Sequence, residues 1–292
     1  MTAAPDPAPG GTSTVIDSIA AVELRVQSIP AAVAFYNDVV GLEVVEVHDD
    51  RAALGTPGGP IRLRLRSDGI EGPSEPTVTG LFHTAFLFPD RPSLGDALAR
   101  LAAGGHSIGA GDHGVSEALY VDDPDGNGVE LYRDRPVAQW PRTDDGRVDM
   151  YTAPVDLDDL LASRSGEDGD AHASGPVVGH VHFRVSHVPE TVRFYVEGLG
   201  LDLMARMGAQ AAFLSSGGYH HHIGANSWSS RGASPASPSR AGLDRVVLLA
   251  GSEKDVRDAR ARVEALGYEA SGDGELVLRD PDGIELRLRA DP

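Results

Sequence analysis

The feature that most limits how this chain can fold is an internal repeat. Leu24-Arg25-Val26 through Pro30, Val33, Phe35-Tyr36 and Gly41-Leu42 recurs, without gaps and at one constant offset, as Phe183-Arg184-Val185 through Pro189, Val192, Phe194-Tyr195 and Gly200-Leu201. Self-similarity of this kind means that one supersecondary unit is used more than once. Each copy reads as a strand, a short helix and a Gly-Leu step into further strands. The helix is expected to bury Val33, Tyr36 and Val40, or Val192, Tyr195 and Leu199. The Phe-Tyr pair is assigned to helix core, where aromatic side chains bury most area.

A second kind of unit begins Gly80-Leu81-Phe82-His83 and ends with Asp123-Pro124-Asp125-Gly126 ahead of Val129-Glu130-Leu131-Tyr132. Its partner begins Gly242-Leu243-Asp244-Arg245 and ends with Asp280-Pro281-Asp282-Gly283 ahead of Ile284-Glu285-Leu286. Apolar spacing predicts helices over Leu94 to Gly104 and Lys254 to Gly267, each stopped by glycine. Asp-Pro-Asp-Gly is turn chemistry, in which Pro presets φ and Gly supplies a positive one.

The chain is therefore read as α+β, with four βαβββ modules at 17–67, 79–133, 177–225 and 242–290. Taken in order they form two half-barrel domains, 17–133 and 177–290. A tail at 1–16 is expected to be disordered. The acidic, Gly/Ser-bearing stretch 134–176 is a linker with one short helix near Leu157 to Leu161. Ser227 to Gly242, rich in Ser, Pro and Ala, reads as a loop.

Composition narrows the chemistry. The 292 residues can bury two cores, and 41% hydrophobic with 24% charged residues belongs to the water-soluble globular class. No apolar run has the length of a membrane span, and the first residues lack the basic flank and apolar stretch of a secretory signal. With no cysteine there is neither disulfide nor thiolate, so a metal must be held by His, Asp or Glu. A cytoplasmic location is the expectation. A net charge of −19 without a basic stripe argues against nucleic acid and anionic membrane as partners. Neither a phosphate-binding Gly-Lys-Ser/Thr loop nor a serine nucleophile elbow is present.

Paired βαβββ modules with His on a first strand and Glu near the end of a last strand resemble the vicinal oxygen chelate superfamily of glyoxalases, bleomycin-resistance proteins and extradiol dioxygenases. Gly-Gly-Tyr-His-His-His-Ile-Gly at 217 to 224 is similar to the two-domain, catechol-2,3-dioxygenase-like branch. The resemblance runs from Ile16 to Arg289. It implies two ligand positions per module, one on the first strand and one on the last. Module one has Ala21 and Arg62-Leu63-Arg64 there and is empty; module two has His83 and Glu130; module three has His180 and the run His220-His221-His222; module four has Arg245 and Glu285.

If modules two and three pair, His83, Glu130 and His180 make a two-His, one-carboxylate face with open positions opposite. If three and four pair, the set is His180, Glu285 and one of His220 or His222, which leaves His83 and Glu130 unexplained. Such donors suit Fe(II), favoured by the resemblance to oxygenases, and equally Mn(II), Zn(II) or Ni(II). The resemblance further implies that Tyr120, ten residues before Glu130, hydrogen-bonds a substrate oxygen, that His113 stands near O₂, and that His221 or His222 is the acid/base. Alternation along the last strand of module three puts His220 and His222 on one face and His221 on the other, and His222 is the favoured base. His106 and His172 are assigned to solvent.

The function implied is extradiol cleavage of a small aromatic diol by O₂. A glyoxalase- or isomerase-like metal enzyme and a resistance protein that sequesters a small molecule are the alternatives. The edge strands of modules one and four offer a surface for a homo-oligomer.

Overall fold

A computed structural model describes residues 15–144, 148–165 and 175–291. The expected disordered tail falls almost wholly outside these residues, as do parts of the linker and His172. Module one comprises β1 (Ser18–Arg25), α1 (Ile29–Phe35), β2 (Glu43–Val47), β3 (Arg51–Gly55) and β4 (Ile61–Arg66); module two comprises β5 (Gly80–Leu87), α2 (Arg91–Ala103), β6 (Gly109–Asp112), β7 (Ser116–Asp122) and β8 (Gly128–Asp134). A short α3 (Leu157–Ala162) follows. Module three has β9 (Val177–Arg184), α4 (Val188–Arg193), β10 (Asp202–Met207), β11 (Ala211–Ser215) and β12 (Ile223–Asn226); module four has β13 (Gly242–Ala250), α5 (Glu253–Ala265), β14 (Ala270–Ser271), β15 (Leu276–Arg279) and β16 (Glu285–Ala290).

Local chemistry accounts for the helix limits. α2 starts three residues before the expected Leu94 because Asp90 caps it, accepting from Ser93 N–H, with Pro92 in the first turn. Ser252 does the same for α5, accepting from Asp255 N–H; such caps contribute about 1 kcal/mol. α1 and α4 each widen into a π turn, Tyr36–Val40 and Phe194–Gly198. The extra residue shifts the buried face, so Phe35, Tyr36, Val39 and Val40 turn inward while Val33 is only half-buried.

The strands form two eight-stranded sheets, β10-β11-β12-β9-β5-β8-β7-β6 and β14-β15-β16-β13-β1-β4-β3-β2. Module two therefore joins module three edge to edge through antiparallel β5 and β9, and module one joins module four through antiparallel β1 and β13. Modules adjacent in sequence are tied differently, behind the sheets. Arg100 donates to the carbonyl of Val39 and Arg262 to that of Gly198, each at 3.1 Å. The Tyr36 hydroxyl donates to Asp123 at 3.0 Å and Tyr195 to Asp280 at 3.2 Å. These carboxylates close the two Asp-Pro-Asp-Gly turns, whose glycines Gly126 and Gly283 sit at φ 79° and 80° as the turn demands. One apolar core, including Val22, Leu63, Phe86, Phe183, Val246 and Leu286, lies between sheet and helix layers. Alternation along the strands leaves the other face of each sheet free to carry polar groups.

Candidate active site

Three adjacent strands build the polar centre of the first sheet. Ala85 on β5 faces Glu130 on β8 to one side and His180 on β9 to the other, and His83 lies two residues before it on the same face. Among the described residues, His83, Glu130 and His180 are the group whose candidate ligand atoms all lie within 4.8 Å of one another, and all three are buried. Glu130 Oε2 is 2.9 Å from His83 Nε2 and 3.2 Å from His180 Nε2. His83 Nε2 nevertheless makes no hydrogen bond, and neither does His180 Nδ1. A buried polar atom without a partner costs about 1–3 kcal/mol.

Burial drives the His180 pKa down to about 4 in spite of Glu130 beside it. At neutral pH it is a neutral imidazole with a lone pair to give. Burial alone would raise the Glu130 carboxyl, but His180 and His83 outweigh it and hold the group ionised. Two imidazoles, one carboxylate and an unsatisfied nitrogen aimed at a shared point fit a divalent cation.

On one side stands Tyr120, opposite Glu130 in the β7–β8 register. Its hydroxyl is 2.7 Å from His113 Nε2, and His113 Nδ1 is 3.0 Å from the backbone carbonyl of Tyr151. A carbonyl only accepts, so Nδ1 carries the proton and Nε2 accepts from Tyr120. Burial, with the Glu130 charge beside it, raises the Tyr120 pKa well above the usual phenol range.

On the other side stands His221, its ring centroid 4.0 Å from that of His180. His220 Nε2 is 2.9 Å from Asp134 Oδ1, and His220 Nδ1 is 2.7 Å from His221 Nδ1. Asp134 accepts a hydrogen bond from the Nε2–H of His220, whose Nδ1 then accepts from the Nδ1–H of His221. His221 Nε2 is thus left as a base. Burial and the neighbouring imidazoles keep His221 well below the usual histidine range, hence neutral.

These groups meet at a cavity of about 270 Å³, lined by His83, Glu130, Tyr120, His113, His182 and His221 and walled by apolar side chains. His222, favoured by alternation, does not line it: its Nδ1 bonds Ser215 Oγ at 2.9 Å. The alternation argument does not apply because β12 starts only at Ile223, so residues 220 to 222 lie in irregular backbone. Glu285 lies in the other sheet, ion-paired with Arg279, Arg245 and Arg287, and does not approach His180. His106 is half-buried against the Phe35 ring rather than free in solvent.

Several wall residues had no sequence reading. His182 follows His180 by two and so shares its face, a signal that strand alternation offered. Its ring packs over Gly224, where a Cβ would come within 2.8 Å, and Asn226 bonds its Nε2 at 3.1 Å. Phe82 reaches the cavity because a bulge interrupts the β5–β9 register between Leu81 and His83. Trp228, Tyr151 and Met207 expose 45%, 45% and 40% of their surface at the mouth, two of them supplied by the segments read as loop and linker.

The model of the Glyoxalase/Bleomycin resistance protein/Dioxygenase superfamily matches residues 17–131 and 177–288. The chain belongs to this superfamily. Among its relatives, the catechol-2,3-dioxygenase of Bacillus subtilis (strain 168) is 40% identical over 266 residues, spanning 89% of this chain and 92% of the relative. The biphenyl-2,3-diol 1,2-dioxygenase 3 of Rhodococcus globerulus is 34% identical over 152 residues, 48% of this chain and 75% of that one. The superfamily fold is shared with the crystal structure of glyoxalase I from Zea mays, at TM-score 0.58 and 15% identity over 94% of this chain and 92% of that chain. No helix among the described residues is long and apolar enough to cross a membrane.

Proposed function

We infer that this protein is a metal-dependent extradiol dioxygenase that opens the ring of a small catechol-type diol with O₂. The observation that carries the reading is the buried His83, Glu130 and His180 group at the foot of a cavity with a Tyr-His pair on one side and a histidine base on the other. The likeness to a catechol-2,3-dioxygenase over nearly the whole chain supports it.

His83, Glu130 and His180 would hold the metal, which we assign as Fe(II). When bound, it supplies a Lewis acid for the diol oxygens and a redox centre between ring and O₂. The chain's own groups do the rest. His221, left by His220 and Asp134 with a bare Nε2, accepts a proton from one diol hydroxyl and later returns it. Tyr120 donates its hydroxyl proton to His113, so its oxygen presents lone pairs to a second diol hydroxyl, and the pair can pass that proton to His113 Nε2. Phe82, Phe213, Trp228 and Met150 supply flat, apolar walls for an aromatic ring and exclude water.

A glyoxalase-like site would draw a further ligand from residues 220 to 222. His220 is instead committed to Asp134 and His221, His222 to Ser215, and His221 is not part of the close group formed by His83, Glu130 and His180. The test is elemental analysis of anaerobically purified protein together with catechol-driven oxygen uptake. Bound iron, uptake with a yellow ring-fission product, and loss of both in His83→Ala and His180→Ala are expected. Full metal content and activity in His83→Ala would overturn the assignment.

A further inference from the structure

The second sheet has a concave face of its own, and strand register says what stands at each position there. Asp123 N–H bonds Asn127 O in one closing turn and Asp280 N–H bonds Ile284 O in the other, so Glu130 and Arg287 lie equally far past their turns. Glu130 pairs with Ala85, two residues beyond His83, and Arg287 pairs with Val247, two beyond Arg245. Arg245, Arg287 and Arg289 therefore take the places of His83, Glu130 and Tyr132. In the same way Ile223 faces Val181 and Leu63 faces Val22, which puts Arg62 where His222 stands and Ala21 where His180 stands.

A cavity of about 670 Å³ lies on this face, and four arginines line it: Arg62, Arg64, Arg287 and Arg289. Its glutamates are engaged. Glu23 faces Arg245 at 3.4 Å and Arg64 at 3.9 Å, and Glu275 faces Arg287 at 3.3 Å. Arg62 has no carboxylate partner among the described residues; its Nε is buried without a hydrogen bond, and Nη1 makes one long contact of 3.5 Å with the carbonyl of Ala20. Arg289 likewise makes no ion pair among the described residues. A buried guanidinium nitrogen is rarely left unpaired, and a planar fork is shaped for the oxygens of a carboxylate or phosphate. In a chain of net charge −19 a general basic field does not explain the cluster.

We propose that the concave face of the second sheet is a binding site for a small anion bearing carboxylate or phosphate groups, held by Arg62 and Arg289 with Arg287 and Arg64 at its edge. The site is separate from the catalytic cavity and does not depend on what that cavity does.

The test is thermal unfolding of the full chain in chloride buffer at fixed ionic strength, titrated with inorganic phosphate in one arm and malonate in the other. A midpoint rise on the order of several degrees at saturation in wild type is expected in at least one arm. The rise should vanish in Arg62→Gln/Arg289→Gln, weaken in Arg62→Lys, and persist in His83→Ala. The responding arm identifies the anion chemistry. No rise in either arm, or the same rise in the double variant, overturns the proposal. Should the double variant not fold, Arg289→Gln alone decides: its side chain is only half-buried and makes no ion pair among the described residues, and an unchanged rise there counts against the site.

Discussion

The two sheets are the same eight-stranded arrangement of two βαβββ modules, yet their concave faces carry opposite chemistry. One presents His83, Glu130 and His180; at matching register the other presents Arg245, Arg287 and Ala21. The faces turned to the helices are alike, with alternating Val, Leu, Ile and Phe in one core. The contrast teaches that the module fixes backbone and core while a handful of inward positions sets the charge. The plugging differs too: where Arg289 faces a cavity, Tyr132 is sealed by a hydrogen bond of 2.8 Å to Tyr219, which in turn donates to Asp134. The same Asp134 orients His220, so the closed end of this cup also sets the tautomer of His221, the base we propose.

The largest effect that can break this comparison is loss of a metal donor. His83→Ala or His180→Ala should empty the site and lower kcat/KM by about 10³-fold or more, checked by metal analysis and oxygen uptake. Next, His221→Gln should lower kcat by about 10²–10³-fold with the metal retained, whereas His222→Gln should cost far less, since it faces Ser215. Equal losses would mean that the assignment of the base is wrong. Tyr120→Phe should lower kcat by about tenfold to a hundredfold and shift its pH profile, as expected for one hydrogen-bonding group in a dry site.

A smaller effect concerns stability of the metal-free protein. Burial holds His180 and His222 each at about 4, whereas the unfolded chain titrates near ~6.5. Between these values the unfolded chain binds more protons, so stability falls as pH drops from about 6.5 toward 4, by up to about 1.4 kcal/mol per pH unit per histidine. Asp280 works against this. Burial raises its carboxyl to about 7, so its contribution is greatest at low pH and fades as pH rises, offsetting one histidine. Urea unfolding at pH 4.5, 5.5 and 6.5 measures the balance, and a flat profile would contradict it. Smallest of all, Glu285→Gln should leave metal content unchanged and cost no more than about 1 kcal/mol, because Glu285 pairs with arginines in the other sheet.

Much of this was legible in the chain. The gapless Leu24-to-Leu42 repeat gave the modules, and the resemblance, which implies a ligand position on the first and last strand of each, pointed to His83, Glu130 and His180. The sequence did not expose His182, Phe82, Trp228 or Tyr151. Phe82 depends on a bulge, and Trp228 and Tyr151 come from segments with no periodicity to read. The choice between His221 and His222 depended on where β12 begins, and strand ends are set by pairing partners rather than by the residues themselves.

Local pattern determined the modules, their order and the turns, because alternation, capping and turn chemistry act over a few residues; the candidate donors came from the resemblance, which says where in a module to look. Which modules share a sheet was decided by tertiary structure alone. Each module exposes a first-strand edge able to pair with any of the others, and only the joint burial of all four helix layers, fixed by contacts such as Tyr36 to Asp123 and Tyr195 to Asp280, selects the pairing that brings His83 to His180.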